Sequence, residues 1–365
     1  FRTTGICGLQ DGTWHLDEGA SFTPASTACL AHIDGQIFSA GNGSWRIEGG
    51  TTFVSHVSTT TTVFNVGGGG FQWTGGDVDI HPSGQLENQG EIQFAGNILT
   101  QAIYGLLLNK GRLRLAAING PGYVELNGTL QNAAEGTTTV ESADFRWRGT
   151  GTFENAGWFH VAGGVTTSAD LVRFRQMGGF VILGTGSAFH IRGNQQWHTG
   201  GHFLLATGST CHIVYGGTDY WNGVYTTTGD GTLQMDGGML RATTTTVFNA
   251  TGGGFRIHGG TLNINPGYPM GNNGIMHLAS TTTPVTLWGN LQNHGQVYFG
   301  TSGHCLLSGP GGEIVNGANG VWSFVEEGGA IDPLSYGFQN YGTVSYQAST
   351  ASIAGVFLGH PGSTA

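Results

Sequence analysis

Two aspartates in the stretch "GDVDI", Asp77 and Asp79, have a type and spacing that could do acid–base work on a glycosidic bond. A close copy of the surrounding segment reads "GTLNI", with Thr261 and Asn263 in their places, so a catalytic pair would exist in one copy alone. Strand alternation also puts both carboxylates on the solvent side. His198 and His202 in "HTGGH" have the i,i+4 spacing that suits zinc on a helix. Two glycines separate them in a strand-like context, so no metal site is expected. Glu326 and Glu327 are adjacent and would point to opposite faces of a strand. Aspartate pairs of the glycosidase kind, with Gly-His-Gly and Arg-Ile-Lys, are absent, and so are calcium-binding nonapeptides. The sequence therefore assigns no catalytic, cofactor-binding or metal-ligating residue, and the expectation is a protein that is not an enzyme and needs no cofactor. A β-helix polysaccharide lyase or hydrolase remains the second alternative.

Cysteine adds one possibility. Cys7 and Cys29 lie 22 residues apart, one period of the repeat described next, and could stack and bridge as a disulfide. Cys211 and Cys305 are 94 apart, too far along such a stack for a bond that needs Cα atoms within about 7 Å.

The elements that must carry these residues follow from composition and repetition. Glycine supplies 68 of 365 residues, 9% are charged, and 11% are aromatic, which points to an ordered, β-rich chain. A net charge of −10 without a Lys/Arg cluster excludes a nucleic-acid partner. No apolar run reaches the 18 or so residues of a membrane span. The chain opens on Phe1 and reads as a processed piece of a longer precursor.

The segments "LENQGEIQF" (86–94), "LLNKGRLRL" (107–115), "FENAGWFHV" (153–161), "LQNHGQVYF" (291–299) and "FQNYGTVSY" (338–346) share the pattern apolar-x-Asn-x-Gly-x-apolar-x-apolar. With degenerate copies, the asparagines fall at Asn88, Asn109, Asn132, Asn155, Asn272, Asn293, Asn316 and Asn340, and steps within each run are 21 to 24 residues. A fixed period of this size signals a solenoid, and the two-residue alternation makes its elements strands. The expected fold is all-β: a single-stranded β-solenoid, or β-helix, of roughly 16 coils, a rod about 75 Å long at the usual strand spacing.

Alternation places each Asn on the inner face, where a side-chain amide needs partners. The expectation is a structural Asn ladder, each amide bonding the next. The glycine two residues on is expected to supply the positive φ of the corner. The threonine runs at 59–62 and 243–246 suit outward strand positions. Their irregular spacing argues against an ice-binding face. Trp45, Trp73 and Trp147 alternate within strands and are expected to pack.

A longer period contains the short one. "TTTTVFNVGGGGFQWTGGDVDI" (59–80) and "TTTTVFNATGGGFRIHGGTLNI" (243–264) match at 14 of 22 positions, at an offset of 184 residues. That offset is eight coils of 23, and it carries Asn88 to Asn272, Asn109 to Asn293 and Asn132 to Asn316. The reading is an eight-coil duplication: N-terminal coils or a partial cap over 1–40, a first solenoid block over 41–228, and a partial second block over 229–365.

These coils resemble secreted microbial β-solenoid surface proteins: filamentous-haemagglutinin-like adhesins, autotransporter passengers and giant cell-envelope repeat proteins. The resemblance covers about residues 40–350 and implies an extracellular or cell-surface location and a structural or adhesive role. The expected function is self-assembly, head to tail with copies of itself, into a filament, fibre or sheath. An adhesin stalk that binds host or surface glycans is the first alternative.

Overall fold

The computed structural model describes residues 61–66, 70–95, 101–116, 122–193, 196–214, 217–279, 285–300, 306–325, 329–334, 337–347, 351–353 and 356–364, with short stretches between 2 and 54. Among them there is no helix, and the strands form a parallel β-solenoid of about 11 turns. The chain divides into two compact units, Phe1–Phe189 and His190–Ala365.

In the first unit a coil is three short strands joined by tight corners. Gln85–Asn88, Glu91–Phe94 and Gln101–Tyr104 make one coil; Leu106–Asn109, Arg112–Leu115 and Tyr123–Leu126 make the next. Each strand pairs in parallel with its equivalent one coil on, so Leu86 sits beside Leu107, Ile92 beside Leu113, and Phe94 beside Leu115. All six of these side chains are buried. Burying each is worth roughly 1.5–3 kcal/mol, and parallel register repeats that gain on every coil. Trp73 and Trp147 lie in this core, and the Trp73 indole N–H donates to the Gly75 and Gly76 carbonyls at 3.0 Å.

The second unit is built the same way. Met270–Asn272 pairs with the second half of the strand Val285–Asn293, and Ile275–Ala279 pairs with Gln296–Phe299. Met270, Met276, Leu278, Leu291, Val297 and Phe299 fill its core.

Two local expectations need correction. The glycines of the Asn-x-Gly step do not supply a positive φ: Gly90, Gly111, Gly157, Gly295 and Gly342 all lie outside that region. They are glycines because the coils approach too closely there for any side chain. A Cβ on Gly90 would stand 2.2 Å from the Val66 carbonyl oxygen, and one on Gly295 would stand 2.2 Å from that of Gly274. The left-handed positions are elsewhere, as at Gly105 (φ 78°), which turns one strand into the next, and at Gly289 (φ 92°), inside the strand Val285–Asn293. The threonine runs are not wholly outward either. Thr62 and Thr246 are fully buried, and Thr246 Oγ1 donates to the Trp221 carbonyl at 2.8 Å. In the second run Thr243, Thr244 and Thr245 stay outside the core, and only Thr246, where the strand Thr246–Ala250 begins, turns inward.

Cys29 and Cys305 lie outside the described residues, so the structure does not bear on a Cys7–Cys29 bridge. Cys211 is a free, fully buried thiol, and burial pushes its pKa up.

Candidate functional site

The eight asparagines share one inward position and are all buried. In the first unit the Asn88 amide Nδ2 donates to Asn109 Oδ1 at 2.7 Å, Asn109 to Asn132 at 2.8 Å, and Asn132 to Asn155 at 2.8 Å. Asn155 continues to Gln176 Oε1 at 3.0 Å. Each Nδ2 also donates to a corner carbonyl of the next coil: Arg112, Thr137, Trp158 and Phe180 at 3.0–3.1 Å. In the second unit Asn272, Asn293 and Asn316 each donate to the next Oδ1 at 2.8 Å, and Asn340 receives the last bond. Every shared amide hydrogen bond of this kind spares a buried polar group a loss of about 1–3 kcal/mol. Gln176 was missed in the sequence because it departs from the Asn-x-Gly pattern; its position in register after Asn155 is the signal that would have found it.

The residues weighed for chemistry do not converge. Asp77 and Asp79 both lie part-exposed on one strand, and Asp77 Oδ1 accepts from the Ala102 N–H at 3.3 Å. Burial raises the Asp77 pKa, partly offset by that bond, with smaller upward pushes from Glu125 and Asp79. His198 and His202 separate: His198 is buried, its pKa pushed down to about 3, whereas His202 is exposed and bonds Thr226. Glu326 and Glu327 lie outside the described residues. No group of three His, Cys, Asp or Glu side chains among the described residues could hold a metal ion.

The second unit holds a buried polar patch that the sequence did not flag. Asp219 is 2% exposed, accepts from the Gln196 backbone N–H at 3.1 Å, and burial raises its pKa to about 7. The neighbouring Gln196 side chain is fully buried with neither amide atom bonded. Enclosure keeps Asp219 from any substrate, so its raised pKa speaks to stability.

The outward faces of the two units differ. In the first, Arg114 bonds Glu141 at 2.6 and 2.9 Å and Glu91 at 3.2 Å, while Arg112 stands 3.6–3.7 Å from the same two carboxylates. The bonds from Arg114 lower the Glu141 pKa. Lys110 pairs with Glu87 at 3.0 Å, and Arg175 with Glu154 at 2.9 Å. In the second unit Asp236 accepts from His212 Nδ1 at 3.1 Å, lies 3.3 Å from His258 Nδ1, and accepts from Gln234 at 2.7 Å. Burial pushes the Asp236 pKa up, but these partners outweigh it and hold the carboxyl well below its usual range. It is a fixed charge that sets both imidazole orientations.

A second outward row of that unit is aromatic. Parallel register places Trp197, Tyr220, Arg241, Asn263 and Trp288 side by side on five successive coils. Trp197 and Tyr220 stack with centroids 4.0 Å apart, and the Arg241 guanidinium lies 5.7 Å from the Tyr220 ring centre.

The class these features define is a parallel β-solenoid with an internal amide ladder. No family model, curated protein or solved structure matches the chain.

Proposed function

We propose that the chain is an extracellular structural protein that assembles end to end with copies of itself into a filament, fibre or sheath. One observation carries this reading. In the strand Phe357–Gly359 all three residues are exposed, with Leu358 at 46%, and Val356 just before it is at 54%. One coil earlier, the partner Phe338 is buried. A coil of another copy laid on this strand, in the parallel register that Phe338 and Phe357 already share, would bury the apolar group and pair the backbone edge. The resemblance to secreted microbial surface solenoids supports the extracellular setting. The 184-residue offset supports an eight-coil duplication within roughly 16 coils, since duplicating whole coils preserves the stack.

The test is sedimentation and electron microscopy of the purified chain across a concentration series. End-to-end oligomers that lengthen with concentration, and are lost in Leu358→Lys, are the expected result. A monodisperse monomer at the highest soluble concentration overturns the proposal.

A further inference from the structure

We propose that the row Trp197, Tyr220, Arg241, Asn263 and Trp288 is a binding rail for a linear acidic polysaccharide, one whose sugars carry carboxylates. It rests on the extracellular reading only in that a polysaccharide must reach this face, and it does not depend on end-to-end assembly.

The rail combines three features in fixed register. Its ends are indoles, Trp197 at 44% and Trp288 at 48% exposed, an unusual cost in water for a side chain with so much apolar area. On the coil beyond, Gly311 pairs in register with Trp288. Tyr220 covers one face of Trp197, so a sugar meets the exposed edge of that indole, apolar surface against which pyranose C–H groups pack.

The middle of the rail is Arg241. It is exposed, and no carboxylate pairs with it among the described residues; its contact is the Tyr220 ring. Arg112, Arg114 and Arg175 of the first unit, by contrast, all stand against glutamates. A guanidinium held by an aromatic ring, with its fork unused, suits a carboxylate from outside the chain.

Beside the rail runs a parallel row of Thr218, Met239, Thr261 and Thr286, again on successive coils. Its hydroxyls and the Asn263 amide supply the polar contacts that orient a sugar. Successive coils stand about 4.8 Å apart, close to the repeat of an extended β-linked hexose chain. A polysaccharide lying along the stack would therefore meet equivalent positions on successive sugars. A phosphate polymer is a poorer occupant: one guanidinium does not make the basic stripe it needs, and the chain carries −10 overall.

Affinity electrophoresis and tryptophan fluorescence titration of the full chain test the rail, with β-linked oligomannuronate as the acidic probe and β-linked cello-oligosaccharides as the neutral probe. Retardation by an acidic probe is expected, weakened about tenfold or more in Trp288→Ala and in Trp197→Ala. Arg241→Gln should remove the preference for acidic over neutral chains and flatten the salt dependence. Far-UV circular dichroism and the melting temperature of each variant separate lost binding from lost folding, and Trp197→Phe should keep most of the affinity. No retardation by any probe, equal binding of the neutral probe, or undiminished binding in folded Trp288→Ala would each overturn the proposal. So would lateral self-association abolished by Trp288→Ala without any glycan binding, which would make the row a contact between copies.

Discussion

Residues 86–141 and 270–325 have nearly the same inside and opposite outsides. Inside, Leu86, Asn88, Leu113 and Leu130 of the first region correspond to Met270, Asn272, Val297 and Ile314 of the second, all buried. Outside, Glu91, Arg112, Arg114 and Glu141 correspond to Ile275, Gln296, Tyr298 and Val325. A network of ion pairs in one region becomes ring stacking and neutral hydrogen bonds in the other, where His277 stacks on Tyr298 at 5.0 Å and Tyr298 Oη bonds Gln296 at 2.9 Å. The lesson is that stacking is set by the inward rows and corner glycines, which leaves the outward rows open to divergence.

The hardest test of that shared interior is steric. Gly90→Ala and, at the matching position, Gly274→Ala each drive a Cβ into a backbone carbonyl, at 2.2 and 2.1 Å, and each should cost about 3–5 kcal/mol in denaturant unfolding of the full chain. Unequal losses would mean that the two corners are not built alike. Next in size is the buried Asp219 of the second unit. Asp219→Asn should stabilise the chain at pH 8 by on the order of 2–4 kcal/mol. The sign follows from proton uptake. With its folded pKa raised to about 7 from 3.8, the native state holds a proton that the unfolded chain releases. Stability from this group is therefore full below about pH 4, falls as pH rises towards 7, and stays low above it. Melting curves of the parent and the variant from pH 4 to 8 should converge at the acid end; curves that stay parallel would remove Asp219 from the account.

Smaller effects sharpen the comparison. Asn109→Leu and Asn293→Leu should each cost about 1–3 kcal/mol, because each removes a donor to the next amide and strands the neighbour's Nδ2. An unchanged melting temperature in either would show that the ladder bonds carry no net stability there. The smallest effect is on the surface. Arg114→Gln should cost about 1 kcal/mol or less at low salt and nothing measurable in 1 M NaCl. Tyr298→Gln, at the matching position, should show no such salt dependence.

Much of this was legible in sequence, for particular reasons. In "LENQGEIQF" a polar asparagine falls on the same two-residue beat as Leu86, Ile92 and Phe94, and only strand alternation gives it that company. The 21–24-residue spacing then gives the stacking partners. The glycine's task was misjudged because Asn-x-Gly looks the same whether the backbone needs a left-handed turn or clearance from the coil beneath. Clearance depends on where Val66 and Gly274 place their carbonyls, and no local pattern encodes that. The aromatic row escaped notice because its members lie on different coils: Trp197 and Trp288 fall in one row only once register is known. The inward Gln196 and Asp219 escaped for the opposite reason, since polar residues on an inner beat break the very alternation by which strands are recognised.

The amide ladder also has a direction. Within each run every amide bond passes from an Nδ2 to the Oδ1 of the later coil, so the side-chain dipoles point the same way along the stack. Aligned bonds polarise one another, and each added rung strengthens those already in place. The first run begins with a buried lone pair, Asn88 Oδ1, that no donor among the described residues meets. Such a column is a one-way array with an electron-rich end and a proton-rich end, and two columns can be spliced only in the same sense. Any extension of the ladder, whether by gene duplication or by docking, inherits that vector.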